Sequence, residues 1–309
     1  MTDVPTASAP ARLVGRGLVV GYDDHTIIDG LDVDIPDGSF TVILGPNACG
    51  KSTLLRALSR LLPPTAGSVT LDGRDVHKMN GKEFAREIGL LPQSSTAPEG
   101  ITVVDLVSRG RFPYQKLFKQ WTDADELAVR NALAATRLTE LSTRTVDALS
   151  GGQRQRVWLA MALAQETKIL LLDEPTTYLD LAHQLEVLEM CRRFHSEGRT
   201  LVAVLHDLNQ AARYATHIVA MRSGAILAEG SPDDVLTAER VEQIFGVRCT
   251  VVPDPETNTP MVIPAAEGAV DSAALPGDTA TLRERSKGNG ASGVPRTEQV
   301  EVEAKGTEG

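Results

Sequence analysis

The sequence predicts an α/β fold: a mixed but largely parallel sheet covered by helices, with antiparallel strands ahead of it and a helical insert within it. Three observations carry this. The apolar run 41–44 enters the loop Gly45-Pro46-Asn47-Ala48-Cys49-Gly50-Lys51-Ser52-Thr53, after which Leu54, Leu55 and Leu58 recur at helical spacing, giving strand, glycine-bearing loop, helix. Runs 169–172 and 201–205 are nearly all apolar, as strands covered on both faces are. Between 101 and 146 the texture turns helical.

Residues 1–11 are small, polar and proline-containing, and disorder is expected there. From Leu13 to Phe40 short β-prone runs (13–14, 17–20, 31–35) alternate with turn residues such as Asp23-Asp24, Asp29-Gly30 and Pro36-Asp37-Gly38, which reads as antiparallel strands. Residues 67–73 give a further strand and turn, and 88–91 a strand ending at Pro92-Gln93. In the insert, Thr102 with Asp105 and Thr122 with Asp125 have the spacing of helix caps. The second of these helices is expected to bury Leu127, Ala128, Ala132, Ala135 and Leu138 on one face. Strand 218–221 and helical stretches 153–165, 181–195 and 208–214 complete the layers. Ser231-Pro232 opens another helix and Thr237 caps one more. Beyond about Ala265 the chain has no aromatic residue and is rich in Gly, Ser, Ala and charge, so 266–309 is expected to be a disordered acidic tail.

A net charge of -10 argues against a protein whose business is wrapping nucleic acid. Cys49, Cys191 and Cys249 have no paired or metal-ligand spacing, which suggests reduced thiols in the cytoplasm and no structural zinc. No apolar run reaches membrane-spanning length and no secretion signal is visible, so action at a membrane would need a membrane-spanning partner.

The loop 45–53 has the spacing G-x-x-x-x-G-K-[ST]. Its amides can wrap a phosphate chain, the Lys51 ammonium meets the outer charges, and the Ser52 hydroxyl ligates Mg²⁺, so a nucleoside triphosphate is the expected ligand. Cys49 within it is either a thiolate favoured by the helix start, shielded by nucleotide, or a buried inert thiol. A buried strand then ends in Asp173-Glu174, where paired acids suit Mg²⁺ and the polarising of an attacking water: Asp173 as metal group, Glu174 as catalytic base. Gln93 ends its own strand within reach of metal and water, but alone it would not be singled out. His206 ends strand 201–205, either structural or in contact with the γ-phosphate. Tyr22 ends a strand, either packed or stacked on a purine. Finally Ser150-Gly151-Gly152-Gln153 starts a helix whose positive end faces an anion, a second phosphate site. Two phosphate-binding loops with one lysine and one acid pair make sense if each half is completed by another copy.

These motifs, in this order, resemble the nucleotide-binding subunits of ABC transporters over residues 13–265. The resemblance implies a P-loop NTPase (RecA-like) core with mixed sheet, an antiparallel β subdomain and an inserted ABC α-helical subdomain at about 94–147. It implies that Tyr22 stacks on adenine, Gln93 is the sensor glutamine and His206 the switch histidine. Ser150 and Gly152 would reach the partner copy's γ-phosphate, and Asp180, in Thr177-Tyr178-Leu179-Asp180, would contact the dimer partner. It further implies ATP and Mg²⁺ as cofactors, a homodimer of ATPase subunits, two integral-membrane permease subunits, and a place at the cytoplasmic face of the cell membrane. The runs 109–115, 172–180 and 204–210 are similar to ATPases of ferric-siderophore importers of the enterobactin type, which implies a binding protein carrying the ferric siderophore; importers of haem or cobalamin are the alternative cargo class, and a non-transport ABC ATPase is the remaining alternative. Arg109-Gly110-Arg111-Phe112 lies where such subunits meet the permease, and a permease contact is expected there ahead of the alternative, a solvated loop.

Overall fold

The computed structural model describes residues 11–23, 25–93, 96–115, 121–177 and 179–266. The chain divides into Met1–Ala265 and Ala266–Gly309. The expected disorder of residues 1–10 and of the tail past Ala266 lies outside the described residues, as does Tyr178.

The first sheet is antiparallel, in the order β2-β1-β4-β5, from β1 (Ala11–Tyr22), β2 (His25–Pro36), β4 (Ala66–Leu71) and β5 (Arg74–Asp75). Two expectations are corrected here. Ala11 already belongs to β1, and the short runs expected between 13 and 36 are two long strands: β2 continues through Asp29-Gly30, where the register shifts without a turn. Bulges absorb the irregular residues because both strands have a long partner to stay paired with.

The second sheet runs β10-β9-β3-β8-β7-β6, with β3 (Phe40–Leu44), β6 (Ile88–Leu91), β7 (Ile169–Asp173), β8 (Thr200–Val204), β9 (His217–Arg222) and β10 (Ala225–Gly230). All its pairings are parallel except β9 with β10. Its apolar strands serve two cores by strict alternation. Val42, Leu170, Leu172, Ala203 and Ala220 join one cluster, while Ile43, Leu171, Val202, Val204 and Val219 join the other. Helix α1 (Lys51–Leu58) and the antiparallel sheet cover the second cluster's side. The first cluster's side carries α3 (Val103–Ser108), α4 (Asp123–Ala135), α5 (Gly151–Ala164), α6 (Leu181–Ser196), α7 (Leu208–Tyr214), α8 (Pro232–Val235) and α9 (Ala238–Phe245). Helix α2 (Gly81–Glu87), capped by Asn80, leads into β6.

The caps expected at Thr102, Thr122, Ser150, Ser231 and Thr237 all form. The face of α4 differs from expectation. Leu127 is exposed, Ala135 is only half-buried and Leu138 lies beyond the helix end; Asp125, Ala128, Val129, Ala132 and Leu133 are buried. Burial of the charged Asp125 shifts the stripe, because Arg111 waits beneath it. A last hairpin, β11 (Cys249–Pro253) with β12 (Pro260–Pro264), packs on α7. Asn209 donates to and accepts from the Val262 backbone (3.2 and 2.7 Å), and Arg213 pairs with Asp254 at 2.7 Å.

Candidate active site

Parallel strands bring their C-terminal ends to one edge, so the residues following β3, β6, β7 and β8 gather there. Gly45 leaves β3 with φ +151°, and a Cβ at that position would lie 2.2 Å from the Met221 carbonyl oxygen, so only glycine fits. Pro46, Asn47 and Ala48 then turn the chain toward α1, Ala48 with φ +60°. Gly50 is the N-cap of α1 and supplies no side-chain cap, which leaves first-turn amides of α1 open to an acceptor from outside the helix.

That cleft has a volume of about 460 Å³ and is lined by Asn47, Ala48, residues 50–53, Gln93, Glu174, His206 and Ile27. Lys51 is buried, with Nζ donating to the carbonyls of Gly45 (2.9 Å) and Pro46 (2.8 Å). Ser52 donates to Asp173 Oδ1 at 2.8 Å. Glu174 is the hub: Gln93 Nε2 (2.8 Å) and Thr177 Oγ1 (2.9 Å) donate to Oε2, while His206 Nε2 lies 2.8 Å from Oε1. Glu174 has φ +53°, a left-handed conformation outside helix and strand, between the end of β7 and Pro175. Backbone held in that region at a strand end aims a side chain where regular structure cannot.

The two carboxyls differ electrostatically. Burial pushes Asp173 above the usual carboxylate range, only partly offset by the Ser52 hydroxyl. Burial acts the same way on Glu174, but hydrogen bonds from His206, Thr177 and Gln93 outweigh it and hold that carboxyl below its ordinary value. The donors available to a metal are a hydroxyl (Ser52), an amide oxygen (Gln93) and a carboxylate (Asp173). This hard oxygen set fits Mg²⁺, which takes few protein ligands and completes its shell with phosphate and water.

Other expected residues lie elsewhere. Tyr22 stands at the end of β1, 40% exposed, its hydroxyl accepting from Arg56 at 2.8 Å, and does not line the cleft. Ser150, Gly151, Gly152 and Gln153 form the first turn of α5, with a complete Ser150/Gln153 capping box, and Asp180 caps α6. None of these five residues lines the cleft.

One open alternative narrows and one expectation is corrected. Cys49 is buried, and burial pushes its thiol above the ordinary value despite nearby Lys51, which favours the second of the two readings, the buried thiol. Arg111 is no solvated or partner-facing residue. It is 4% exposed, donates to Asp125 (2.9 Å), Glu166 and the Ala164 carbonyl (both 2.7 Å), and stacks over Tyr114 at 4.0 Å. Phe112 beside it is 63% exposed and lines a groove with Asp105, Arg109 and Trp121. Three contributors escaped the sequence reading. Ile27 walls the cleft, Thr177 holds Glu174, and Arg56 holds Tyr22. Only Thr177 had a local signal, a hydroxyl three residues beyond the acid.

The profile described as ABC transporter matches residues 28–177. The ferric enterobactin transport ATP-binding protein FepC of Escherichia coli (strain K12) is 54% identical over 85% of this chain and 97% of its own. The probable siderophore transport system ATP-binding protein YusV of Bacillus subtilis (strain 168) is 54% identical over 81% and 92%. Among solved structures, the dimeric bacterial ABC transporter cassette MJ0796 aligns with a TM-score of 0.64 at 26% identity, over 71% of this chain and 98% of that one. Loop, acid pair and capped second glycine turn thus occur on a cassette fold in a sequence that matches ATP-binding relatives nearly end to end, and the chain belongs to the ABC transporter family as one of its ATP-hydrolysing subunits.

Proposed function

We propose that this chain energises import of a ferric siderophore by hydrolysing ATP at the cytoplasmic face of the cell membrane, docked on two permease subunits that receive cargo from a binding protein. The observation that carries the reading is an intact acid, histidine and glutamine cluster at the phosphate loop in a chain that shares 54% identity with both FepC and YusV, named for siderophore transport. Cobalamin as cargo is favoured only by relatives of lower identity, 42% against 54%, and haem by none of those compared.

The mechanism follows from charge and position. The α1 amides and Lys51 bind the β- and γ-phosphates, and Tyr22, held by Arg56, faces the base. Mg²⁺, when bound through Ser52, Gln93 and Asp173, supplies charge neutralisation on the phosphates. Glu174, ionised because three donors stabilise its charge, accepts a proton from the attacking water. His206 then bridges Glu174 and the γ-phosphate, and Gln93 orients the water. Ser150 and Gly152 of a second copy complete the γ-phosphate site, which makes the working unit a homodimer with two ATP molecules between its halves. The exposed Phe112 groove is where the permease docks. Deleting the chain is expected to abolish uptake of radiolabelled ferric siderophore while leaving haem and cobalamin uptake intact; the opposite pattern overturns the cargo. Phe112→Ala should leave basal ATPase unchanged and lower uptake, and normal uptake would rule out docking there.

A further inference from the structure

Two helix starts meet away from the cleft. A Cβ on Gly151 would have nothing within 4 Å, whereas one on Gly152 would lie 2.6 Å from Cδ2 and 2.9 Å from Cγ of His183. Neither glycine has a positive φ, so backbone conformation does not explain the buried one. The imidazole fills the volume that a side chain at 152 would take. Its Nδ1 lies 2.6 Å from Oδ1 of Asp180, and the same oxygen accepts the His183 backbone amide at 3.0 Å as the cap of α6. A carboxylate only accepts, so Nδ1 carries the proton and the ring cannot rotate without losing that bond. The opposite end of the same loop is tied as well. Gln155 of α5 donates to the Pro175 carbonyl at 3.0 Å, and Gln184, next to His183, donates to the carbonyls of Thr176 and Leu179 at 3.3 and 3.1 Å. The first turns of α5 are therefore joined to Pro175, next to Glu174, through Gln155, and to Asp180, the α6 cap, through His183.

We propose that His183 is a positioning residue for ATP hydrolysis: a spacer seated on Gly152 that fixes the Ser150–Gln153 turn against Asp180, so that when this turn engages a partner's phosphate the displacement reaches its own copy's Glu174. The proposal rests on the two-copy reading above. The imidazole is 37% exposed, but its Cδ2 and Cγ edge sits directly on Gly152, and a contact without slack passes displacement on. The Asp180 bond sets the ring's angle, and the Gly152 seat sets its depth. His183 does not line the cleft and has no place in binding nucleotide within its own copy.

The test is steady-state ATPase kinetics of the full chain together with ATP-driven dimerisation in a Glu174→Gln background. His183→Ala is expected to lower kcat by about five- to tenfold, the effect of losing one charge-assisted hydrogen bond, with KM for ATP within about twofold. His183→Asn, whose side-chain amide nitrogen takes the place of Nδ1, is expected to restore most of the rate and guards against a trivial loss of fold. Asp180→Ala combined with His183→Ala should be no worse than the poorer single variant, because the two act as one unit. Equal losses in the Ala and Asn variants, additive losses in the double variant, or an unchanged kcat would each overturn the role of His183. Failure of the Glu174→Gln chain to dimerise with ATP would overturn the two-copy reading itself. Dimerisation of Glu174→Gln that is unaffected by His183→Ala, with kcat also unaffected, overturns His183 alone.

Discussion

Helices α1 and α5 both begin at glycine-bearing turns proposed to meet phosphate, yet they are built in opposite ways. α1 starts at a glycine with no side-chain cap, its lysine folded back onto two loop carbonyls; α5 starts with a serine and a glutamine that satisfy each other's backbone. The first is an open site whose amides need an external acceptor. In the second the Ser150 and Gln153 amides are satisfied internally, and the Ser150 hydroxyl, which accepts from the Gln153 amide, keeps its own O–H free to donate to an oxygen outside. An uncapped start suits constant occupancy, and a capped one suits intermittent contact.

The contrast is broken most sharply at the α1 cleft. Glu174→Gln should reduce ATP turnover by about 10²–10⁴-fold, the range of a general base, while ATP binding persists; the check is single-turnover hydrolysis beside equilibrium nucleotide binding. Near-normal hydrolysis would remove Glu174 as the base. Lys51→Ala should weaken ATP binding by at least about tenfold through loss of charge-assisted contacts, measured by fluorescence titration. A smaller but more telling pair sits on α5. Ser150→Ala should cost about 1 kcal/mol and about 2–4 °C in Tm because the cap is lost. Ser150→Asp keeps the cap and the melting temperature but places a charge against the partner's phosphate, so its turnover should fall below that of the alanine variant. If the aspartate variant hydrolyses normally, α5 is only a well-capped helix. Smallest is Cys49: labelling by an uncharged maleimide should be slow at neutral pH with or without ATP and rise only above the ordinary thiol range, because burial favours the neutral thiol.

What was legible in the chain divides along the same line. Loop, acid pair and capping box are local, so fixed spacing reveals them. The parallel core was legible because strands serving two clusters must be apolar on both faces. The face of α4 was not, since it turns on Arg111 reaching Asp125 and Glu166 from a distant turn and making a buried polar stripe pass for an exposed one. Strand β10 and the β11–β12 hairpin were likewise missed: β10 alternates half-buried with exposed residues at a sheet edge, and the hairpin draws its order from contacts with α7. Ile27 entered the site only through tertiary placement, for an isoleucine on a strand announces nothing but packing.

That hairpin has a consequence for how the protein is made. The last residue assigned to chemistry is His206, and helix α7 begins two positions later, yet α7 is held by Asp254 and Val262. A nascent chain therefore carries every residue assigned to chemistry before it carries the hairpin that packs on α7, the helix that follows His206.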